Sequence, residues 1–322
     1  MKFKNLGIIA ILLSLLMWNC KENSTSPGEP MFNVVQANKY VIEIITNSLT
    51  KGTSEVFAKI ILDSNSQIGF IRIFIEKLRY LEDSSGYFYC YDTNHICVAH
   101  PIRKDFIGTN RYQDKDSQGK PFAKLLFDSV VNFGKCWISF YWYNPTTQKD
   151  EEKLSFNKII DNFQFILGTG FYIDTWKNWD ITETNMKKRI LEFSVHSLAN
   201  GFSSVINTEI PNDKKVELIR TFLDSIRFFS DNSGYFFVDD LNGMSISLPI
   251  KKEMEGTNLY DYQDSKGKYT VREMIDIIKS KGKGFTDYYF TNPVTLIEQK
   301  KIVYIEKIIG TDYFIGAGFY TK

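Results

Sequence analysis

The sequence predicts an α+β fold that occurs twice, with helices preceding an antiparallel sheet in each copy. Two observations predict the repeat and its order. The chain aligns with itself when Gly86 is placed on Gly234, a shift of 148 residues (234 − 86). Within each copy, apolar residues first recur at helical spacing and then fall into short aromatic and β-branched segments. Most of these segments lie too close together for the crossovers of a parallel sheet, so we expect antiparallel strands with helices on one side.

The repeat is strong enough to define two domains. Residues 86–174 and 234–322 are identical at 29 of 89 ungapped positions, whereas chance gives roughly one in fifteen. Matching periods of this size indicate duplicated structural units. We therefore expect one domain over residues 31–180 and a second over residues 181–322.

The helical segments open each copy. In the first, residues 34–49 carry one apolar face, a break is expected at Gly52, and residues 55–80 continue at helical spacing. In the second, segments 184–206 and 213–229 repeat the pattern. The strands follow, bounded by Gly, Asn, Asp and Pro turns. In the first copy they are expected at residues 87–91, 96–100, 136–143, 153–160 and 165–172.

Composition narrows the function classes. The 322 residues are 43% hydrophobic and 24% charged, which is ordinary for a globular protein and excludes a disordered polymer. The formal net charge is +1, so no global field draws the chain onto nucleic acid. Aromatic residues make up 15%, which predicts large cores or aromatic pockets.

The first residues are typical of an export signal. Lys2 and Lys4 precede an apolar run, residues 6–18, that is too short to span a membrane. Cys20 follows directly, an arrangement that resembles a bacterial lipoprotein signal, although Trp18 and Asn19 stand where small residues are usual. The resemblance implies that residues 1–19 are removed and that Cys20 carries the lipid. Ordinary secretion or an uncleaved anchor are the alternatives.

The segment after the signal predicts a tether. Residues 20–30 are rich in polar residues, Gly and Pro and hold no large apolar side chain, so they cannot pack into a core. We expect an exported, membrane-anchored protein on the periplasmic or cell-surface side, with its domains held away from the bilayer.

Three further cysteines leave two interpretations open. If the first two strands form a hairpin, Cys90 and Cys97 face each other and can form a disulfide in an oxidising compartment. Alternatively these two and Cys136 are buried thiols that act as small apolar residues. No Cys and His pair shows zinc-ligand spacing, so no metal site is expected.

The ordered motifs resemble one family. Gly-Tyr-Phe, His-Pro, Gly-Thr-Asn, Asp-x-x-Gly-Lys, an aromatic strand ending near Asn-Pro, and Gly-x-Gly-Phe-Tyr succeed one another in residues 86–172, and most recur in 234–320. This order resembles the single Cache domains of bacterial extracytoplasmic sensors. The resemblance implies a PAS-like fold with a long first helix, and binding of small carboxylates or amino-acid-like molecules. Because the sequence continues only two residues past Tyr320, we expect a signal to pass through a separate partner protein.

The candidate binding residues lie on the third and fourth expected strands of each copy. A cationic ammonium beside aromatic walls suits a small organic anion, since the charge meets the carboxylate and the rings exclude water. The family resemblance also implies ligand contact by the aromatic strand and by this lysine region. The alternative is that the rings are core and the lysines keep strand edges soluble. The candidates are Phe140, Trp142, Lys153 and Phe156 in the first copy, and Tyr288, Phe290, Lys301 and Tyr304 in the second.

His100 is a further candidate binding residue, and the sequence shows no catalytic motif. His100 ends a strand and either donates to a ligand oxygen or serves as a structural hydrogen-bonding group; Leu248 replaces it in the second copy. No nucleophile with a base, no paired carboxylates and no cofactor loop stand out, so we expect neither an enzyme nor a cofactor. The alternative to a ligand sensor is a surface interaction protein that keeps the fold without binding a ligand.

Overall fold

The computed structural model describes residues 33–173, 181–208 and 211–321. The expected signal segment, the lipidated Cys20 and the tether lie outside these residues. The first half consists of α1 (Val34–Lys59), α2 (Ser64–Glu76), β1 (Phe88–Asp92), β2 (Cys97–Ala99), α3 (Phe122–Phe133), β3 (Lys135–Asn144), β4 (Lys149–Ile159) and β5 (Phe165–Tyr172). The second consists of α4 (Glu183–Ile206), α5 (Asn212–Leu223), β6 (Phe236–Asp240), β7 (Ser245–Ser247), α6 (Thr270–Lys281), β8 (Lys283–Thr291), β9 (Glu298–Lys307) and β10 (Tyr313–Tyr320).

Each half forms one five-stranded sheet. The strand order is β2-β1-β5-β4-β3 in the first and β7-β6-β10-β9-β8 in the second. All pairings are antiparallel. The predicted fold class, two α+β units with a long first helix and an antiparallel sheet, is confirmed. The expectation of helices on one side is wrong, because α3 and α6 pack on the face of each sheet opposite to the other helices.

The helices of the two halves share a single core. Helix α1 packs on β4 and β5 of its own sheet and also on α4 and α5, while α4 packs on β9 and β10 and on α2. At the centre the rings of Phe74 and Phe222, which occupy equivalent positions in the two copies, stack with centroids 5.3 Å apart. Phe202 packs edge-on against Phe222 at 5.2 Å. This continuous apolar cluster contains residues from both halves.

The predicted break at Gly52 is wrong, because α1 continues to Lys59. The chain leaves the helix after Ile60, and α2 begins where the Asp63 side chain accepts a hydrogen bond from the Ser66 amide at 2.9 Å. Gly52 lies at a close helix crossing, since a Cβ there would come within 2.2 Å of the Phe222 ring. Its role is the close approach of two helices, which sequence spacing alone does not reveal.

We expect Gly52→Ala to lower the free energy of unfolding by about 1–3 kcal/mol, the usual cost of overpacking. The Phe222 ring has no room to yield, because it stacks on Phe74 and contacts Phe202. The matched control is Gly69→Ala within α2, where a new Cβ meets no atom within 4 Å. That change should stabilise the protein by roughly 0.5–1 kcal/mol. Equal effects of the two substitutions in urea unfolding would contradict the crossing argument.

The cysteines are free, and their predicted facing pair does not form. A register shift between Cys90 and Tyr91 pairs Cys97 with Tyr91 instead of Cys90. Cys90 therefore packs in the core that the helices share, whereas Cys97 packs in the cluster on the other face of the sheet. Burial raises the pKa of both thiols. The prediction of buried apolar thiols fits this arrangement, with Cys136 half-buried.

Within the described ranges, none of the helices has the length and apolar character that crossing a bilayer requires. The same residues contain no group of three or more His, Cys, Asp or Glu side chains arranged to hold a metal ion.

Candidate functional site

The candidate site lies on the sheet face that points away from the shared helices. Alternate strand residues point to opposite faces, so Phe88 and Cys90 join the helical core while Tyr87, Tyr89 and Tyr91 join a separate aromatic cluster. The second half repeats this division. Phe236 and Val238 face the helices, and Tyr235 and Phe237 face the other side.

Lys153 lies inside the aromatic cluster of the first half. It is 0% exposed, and its Nζ has no hydrogen-bond partner among the described residues. The nitrogen lies 3.7 Å from the centroid of the Tyr87 ring, 5.3 Å from that of Tyr172 and 5.7 Å from that of Tyr89. These rings attract a cation through their faces but offer it no counter-charge. We call this arrangement the Lys153 site.

Lys301 repeats the geometry in the second half. It is also 0% exposed, and its Nζ likewise has no hydrogen-bond partner in the described part of the chain. The nitrogen lies 3.8 Å from the Tyr235 centroid, 5.4 Å from Tyr320, 5.7 Å from Phe237 and 6.0 Å from Phe290. We call this arrangement the Lys301 site.

The sheet register explains why each lysine is enclosed. Lys153 of β4 pairs with Phe140 of β3 and Tyr172 of β5, so large rings flank it on both neighbouring strands. Lys301 of β9 pairs with Tyr288 and Tyr320 in the same way. The Tyr172 and Tyr320 hydroxyls donate to the carbonyls of Tyr143 and Thr291, at 2.6 and 2.8 Å, which fixes both rings.

Burial sets the charge of both lysines. It lowers the pKa of Lys153 to about 7 and lowers the pKa of Lys301 well below its ordinary value. A nearby carboxylate would act in the opposite direction, and no described side chain supplies one. Burial thus favours the uncharged amine at both positions, and a bound anion would restore the charged form.

His100 forms part of the wall of the Lys153 site. It is 2% exposed, its ring stacks on Tyr89 with centroids 5.8 Å apart, and its Nδ1 accepts a hydrogen bond from the Arg103 amide at 3.0 Å. Burial, followed by the charge of Lys153, lowers the pKa of His100 to about 3. The ring is therefore neutral, and accepting at Nδ1 leaves its proton on Nε2. Nδ1 plays the structural role that one of the two interpretations expects.

The predicted aromatic strand residues share this face of the sheet. Phe140 stacks on Phe122 with centroids 4.2 Å apart, and Trp142 packs edge-on against Phe122 at 5.4 Å. In the second half, Tyr288 and Phe290 are buried, and their centroids lie 5.9 Å apart. The structure thus brings these four rings to the same side as the lysines.

Phe156 and Tyr304 lie on the wrong face to join the site. Both pack in the shared helical core, Phe156 against Trp137 at 5.0 Å and Tyr304 against Phe285 at 4.9 Å. The physical reason is strand alternation, since residues three apart point to opposite faces. Their prediction as neighbours of Lys153 and Lys301 within one pocket is corrected accordingly.

Comparison with known families decides the assignment. Residues 36–184 match the family described as Single Cache domain 2, and residues 180–322 match a family described as Cache domain. This chain contains two Cache domains in tandem. The predicted family resemblance is confirmed for both halves.

A curated relative contains one matching stretch. The sensor histidine kinase MctS of Rhizobium johnstonii is 26% identical to the chain over 179 residues, which is 52% of this chain and 38% of the kinase. The matched region therefore spans well under half the length of that kinase.

Solved structures give similar partial matches. The periplasmic sensor domain of a chemotaxis protein is 22% identical, covers 44% of this chain and 100% of its own, and has a TM-score of 0.40. A methyl-accepting chemotaxis protein from Vibrio parahaemolyticus is 26% identical, with 44% and 97% coverage and a TM-score of 0.35.

The second Cache domain has a small cavity of about 30 Å³ on the candidate face. Tyr288 and Phe290 line it together with Asp239, which is 5% exposed. Sequence reasoning missed Asp239. The signal was available, because strand alternation places it on the same face as Tyr235 and Phe237, and the repeat aligns it with Tyr91.

The Asp-x-x-Gly-Lys loops support the site without facing it. The Asp116 carboxylate accepts hydrogen bonds from the amides of Gln118, Lys120 and Tyr141, at 3.0, 2.9 and 3.1 Å. Burial alone would raise the pKa of Asp116, yet these amides outweigh it and the pKa lies below its ordinary value. Asp264 makes the equivalent bonds in the second Cache domain. Each loop is thereby fastened to the aromatic strand.

Proposed function

We propose that this protein is a lipid-anchored, extracytoplasmic sensor whose two Cache domains bind small organic anions, carboxylates or amino-acid-like molecules, through Lys153 and Lys301. The proposal includes export, lipid attachment at Cys20 and transmission of the signal through a separate partner protein. The apolar segment before Cys20 motivates the anchor, and mass spectrometry of the wild-type N-terminus tests it, because a Cys20 without attached lipid would exclude lipid anchoring. The similarity to part of a sensor histidine kinase supports a sensory role.

The observation that carries the proposal is the pair of buried lysine amino groups that have no hydrogen-bond partner among the described residues. A buried cation without a partner is strongly unfavourable, and the same arrangement occurs in both domains. A ligand carboxylate would supply the counter-charge and accept a short charge-assisted hydrogen bond. The surrounding rings would cover the carbon skeleton and exclude water.

We expect titration calorimetry to detect binding of small carboxylates, from acetate to pentanoate, with much weaker binding of the matching uncharged amides. At a ligand concentration a hundredfold above Kd, the free energy of unfolding should rise by about 2.7 kcal/mol for each occupied site. Lys153→Met and Lys301→Met should each remove one class of site, and the double variant should bind none.

Lys300→Met is the matched control, because Lys300 adjoins Lys301 in the chain but is 45% exposed and pairs with Asp287 at 2.8 Å. It should leave binding unchanged. Equal binding of amides and carboxylates, or full binding by the double lysine variant, would exclude the lysines as anion sites.

A surface interaction protein is the second candidate, and packing in the first Cache domain favours it. Phe122, Phe140 and Trp142 pack closely together near the Lys153 site, and α3 exposes Val131 and Phe133, at 58% and 78%. A wild-type protein that responds to none of the carboxylates would favour this candidate over the sensor.

A further inference from the structure

The hairpin between β8 and β9 carries a cluster of exposed aliphatic side chains. Val294, Leu296 and Ile297 are 51%, 77% and 64% exposed, and residues 293–297 contain no charged side chain. We call these three side chains the apolar tip. Exposed apolar side chains that adjoin one another mark an interaction surface, whereas single ones need no explanation.

The first Cache domain has the same hairpin without the apolar tip. Its residues at the three equivalent positions are Thr146, Gln148 and Lys149. The backbone is alike in both copies, because Leu296 and Gln148 have φ of 58° and 59°. Their amides donate to the carbonyls of Asn292 and Asn144, at 2.9 and 2.8 Å. Since polar residues support the same hairpin, the fold does not require apolar side chains at these positions.

The apolar tip lies at the end of the molecule where α4 begins. Asn207 of α4 donates to the carbonyl of Ile309 at 2.9 Å, and His196 lies 2.7 Å from the Glu306 carboxylate. The two elements therefore run in the same direction. Followed back from His196 and Glu306, α4 reaches its start after about 20 Å and β9 after about 26 Å. The start of α4 and the tip that precedes β9 thus share one end.

Helix α1 begins at the same end. Near the helix starts, Tyr40 of α1 lines a cavity with Phe229, and the Lys187 ammonium of α4 lies 5.9 Å from the Phe229 centroid. Further along, both helices adjoin the Phe222 ring, α4 through Phe202 and α1 through the glycine of the close crossing. The two helices therefore run side by side in the same direction.

The proposed anchor joins the folded part at this end. Asn33 caps α1 and lies 13 residues after Cys20 (33 − 20). Even a fully extended chain of that length spans at most about 45 Å. A lipid on Cys20 would therefore keep the start of α1, and the end of the molecule that carries the apolar tip, close to a bilayer.

We propose that the apolar tip inserts into the surface of the lipid bilayer and orients the second Cache domain on the membrane. This inference rests on the proposed lipid anchor. Insertion removes three aliphatic side chains from water and buries no charge. A protein partner fits the tip less well, because protein interfaces depend on Trp, Tyr and Arg anchors, and residues 293–297 contain none.

The test places the fluorophore nitrobenzoxadiazole at the tip of the full-length protein, reconstituted in vesicles of phosphatidylethanolamine and phosphatidylglycerol. Thr295→Cys supplies the attachment point, because Thr295 is an exposed residue within the hairpin. A Cys136→Ser background confines the label, since Cys90 and Cys97 are buried. We expect doxyl-labelled phospholipid in the vesicles to lower the fluorescence at least twofold.

Ile309→Cys in the same background is the matched control. Ile309 is 65% exposed and lies at the other end of β9, 12 residues after Ile297 (309 − 297) and thus about 40 Å from it. Its label should not be quenched. A second variant gives the tip the residues of the first domain, through Val294→Thr, Leu296→Gln and Ile297→Lys together. Circular dichroism should show it folded, and it should abolish quenching of the Thr295→Cys label.

Equal quenching at the two labelled positions, or full quenching in the tip variant, would overturn insertion. An unquenched Thr295→Cys label on protein whose Cys20 carries a lipid would also overturn it, while leaving the proposed anchor intact. A Cys20 without lipid would overturn the anchor alone, provided that quenching still occurs at the tip and not at Ile309→Cys. Absence of both the lipid and the quenching would overturn both proposals.

Discussion

The double variant Lys153→Met and Lys301→Met is expected to be more stable than the wild type in the absence of ligand. Each lysine is fully buried without a hydrogen-bond partner in the described structure. Lowering the pKa of Lys153 to about 7 corresponds to a folding cost on the order of 4 kcal/mol at neutral pH. Methionine fills a similar volume without that cost, so the free energy of unfolding should rise by about 2–4 kcal/mol at Lys153 alone. Lys301→Met should act in the same direction.

Urea unfolding at pH 7 measures this gain, with Lys300→Met as the control that should change little. The difference should narrow under saturating carboxylate, because only the wild type gains stability from the ligand. A double variant that is less stable than the wild type without ligand would mean that the lysines serve the fold and not a binding site.

The stability of the ligand-free wild type is expected to rise with pH between 7 and 9, relative to the double variant. Above a pKa of about 7, folded Lys153 has released its proton, whereas the unfolded chain keeps it to about pH 10.4. The unfolded state then binds more protons, and the free energy of unfolding increases with pH. The expected rise is about 2 kcal/mol from Lys153 over these two pH units, and Lys301 adds to it in the same sense.

The difference between the two proteins isolates the lysines from other titrating groups. Burial raises the pKa of Asp239 to about 7 and lowers that of His100 to about 3. Asp239 and the buried thiols are shared by the two proteins and cancel in the comparison. The pKa of His100 depends in part on Lys153, but its main cause is burial, so the ring stays neutral above pH 7 in both proteins. Urea unfolding at steps of half a pH unit gives the free energy of unfolding of each protein as a function of pH. Parallel curves for the two proteins would show that the lysines keep ordinary pKa values in the fold.

Local patterns in the sequence predicted the fold because its main determinants are local. Helical spacing, strand-forming segments and the duplicated motifs all act over short stretches. The break predicted at Gly52 was wrong because the role of this glycine depends on the close approach of Phe222, 170 residues later (222 − 52). No local sequence pattern indicates that contact. The Cys90 and Cys97 pairing failed for a related reason, since one shifted register at the end of β1 moves the thiols to opposite faces.

The candidate site was predicted in part. Lys153 and Lys301 stood out because a cation beside rings recurred at the same offset. Their complete burial could not be foreseen, since it depends on the rings of three neighbouring strands closing over each ammonium. Phe156 and Tyr304 were placed by motif similarity against strand alternation, and alternation proved decisive.

The shared helical core makes this chain a covalent counterpart of a symmetric pair. In a pair of identical subunits, any substitution alters both copies at once. Fusion removes that constraint, because each half has its own sequence while the stacked Phe74 and Phe222 rings keep the halves together. Asp239 and Tyr91 occupy equivalent positions with different chemistry, a divergence that two identical subunits could not show.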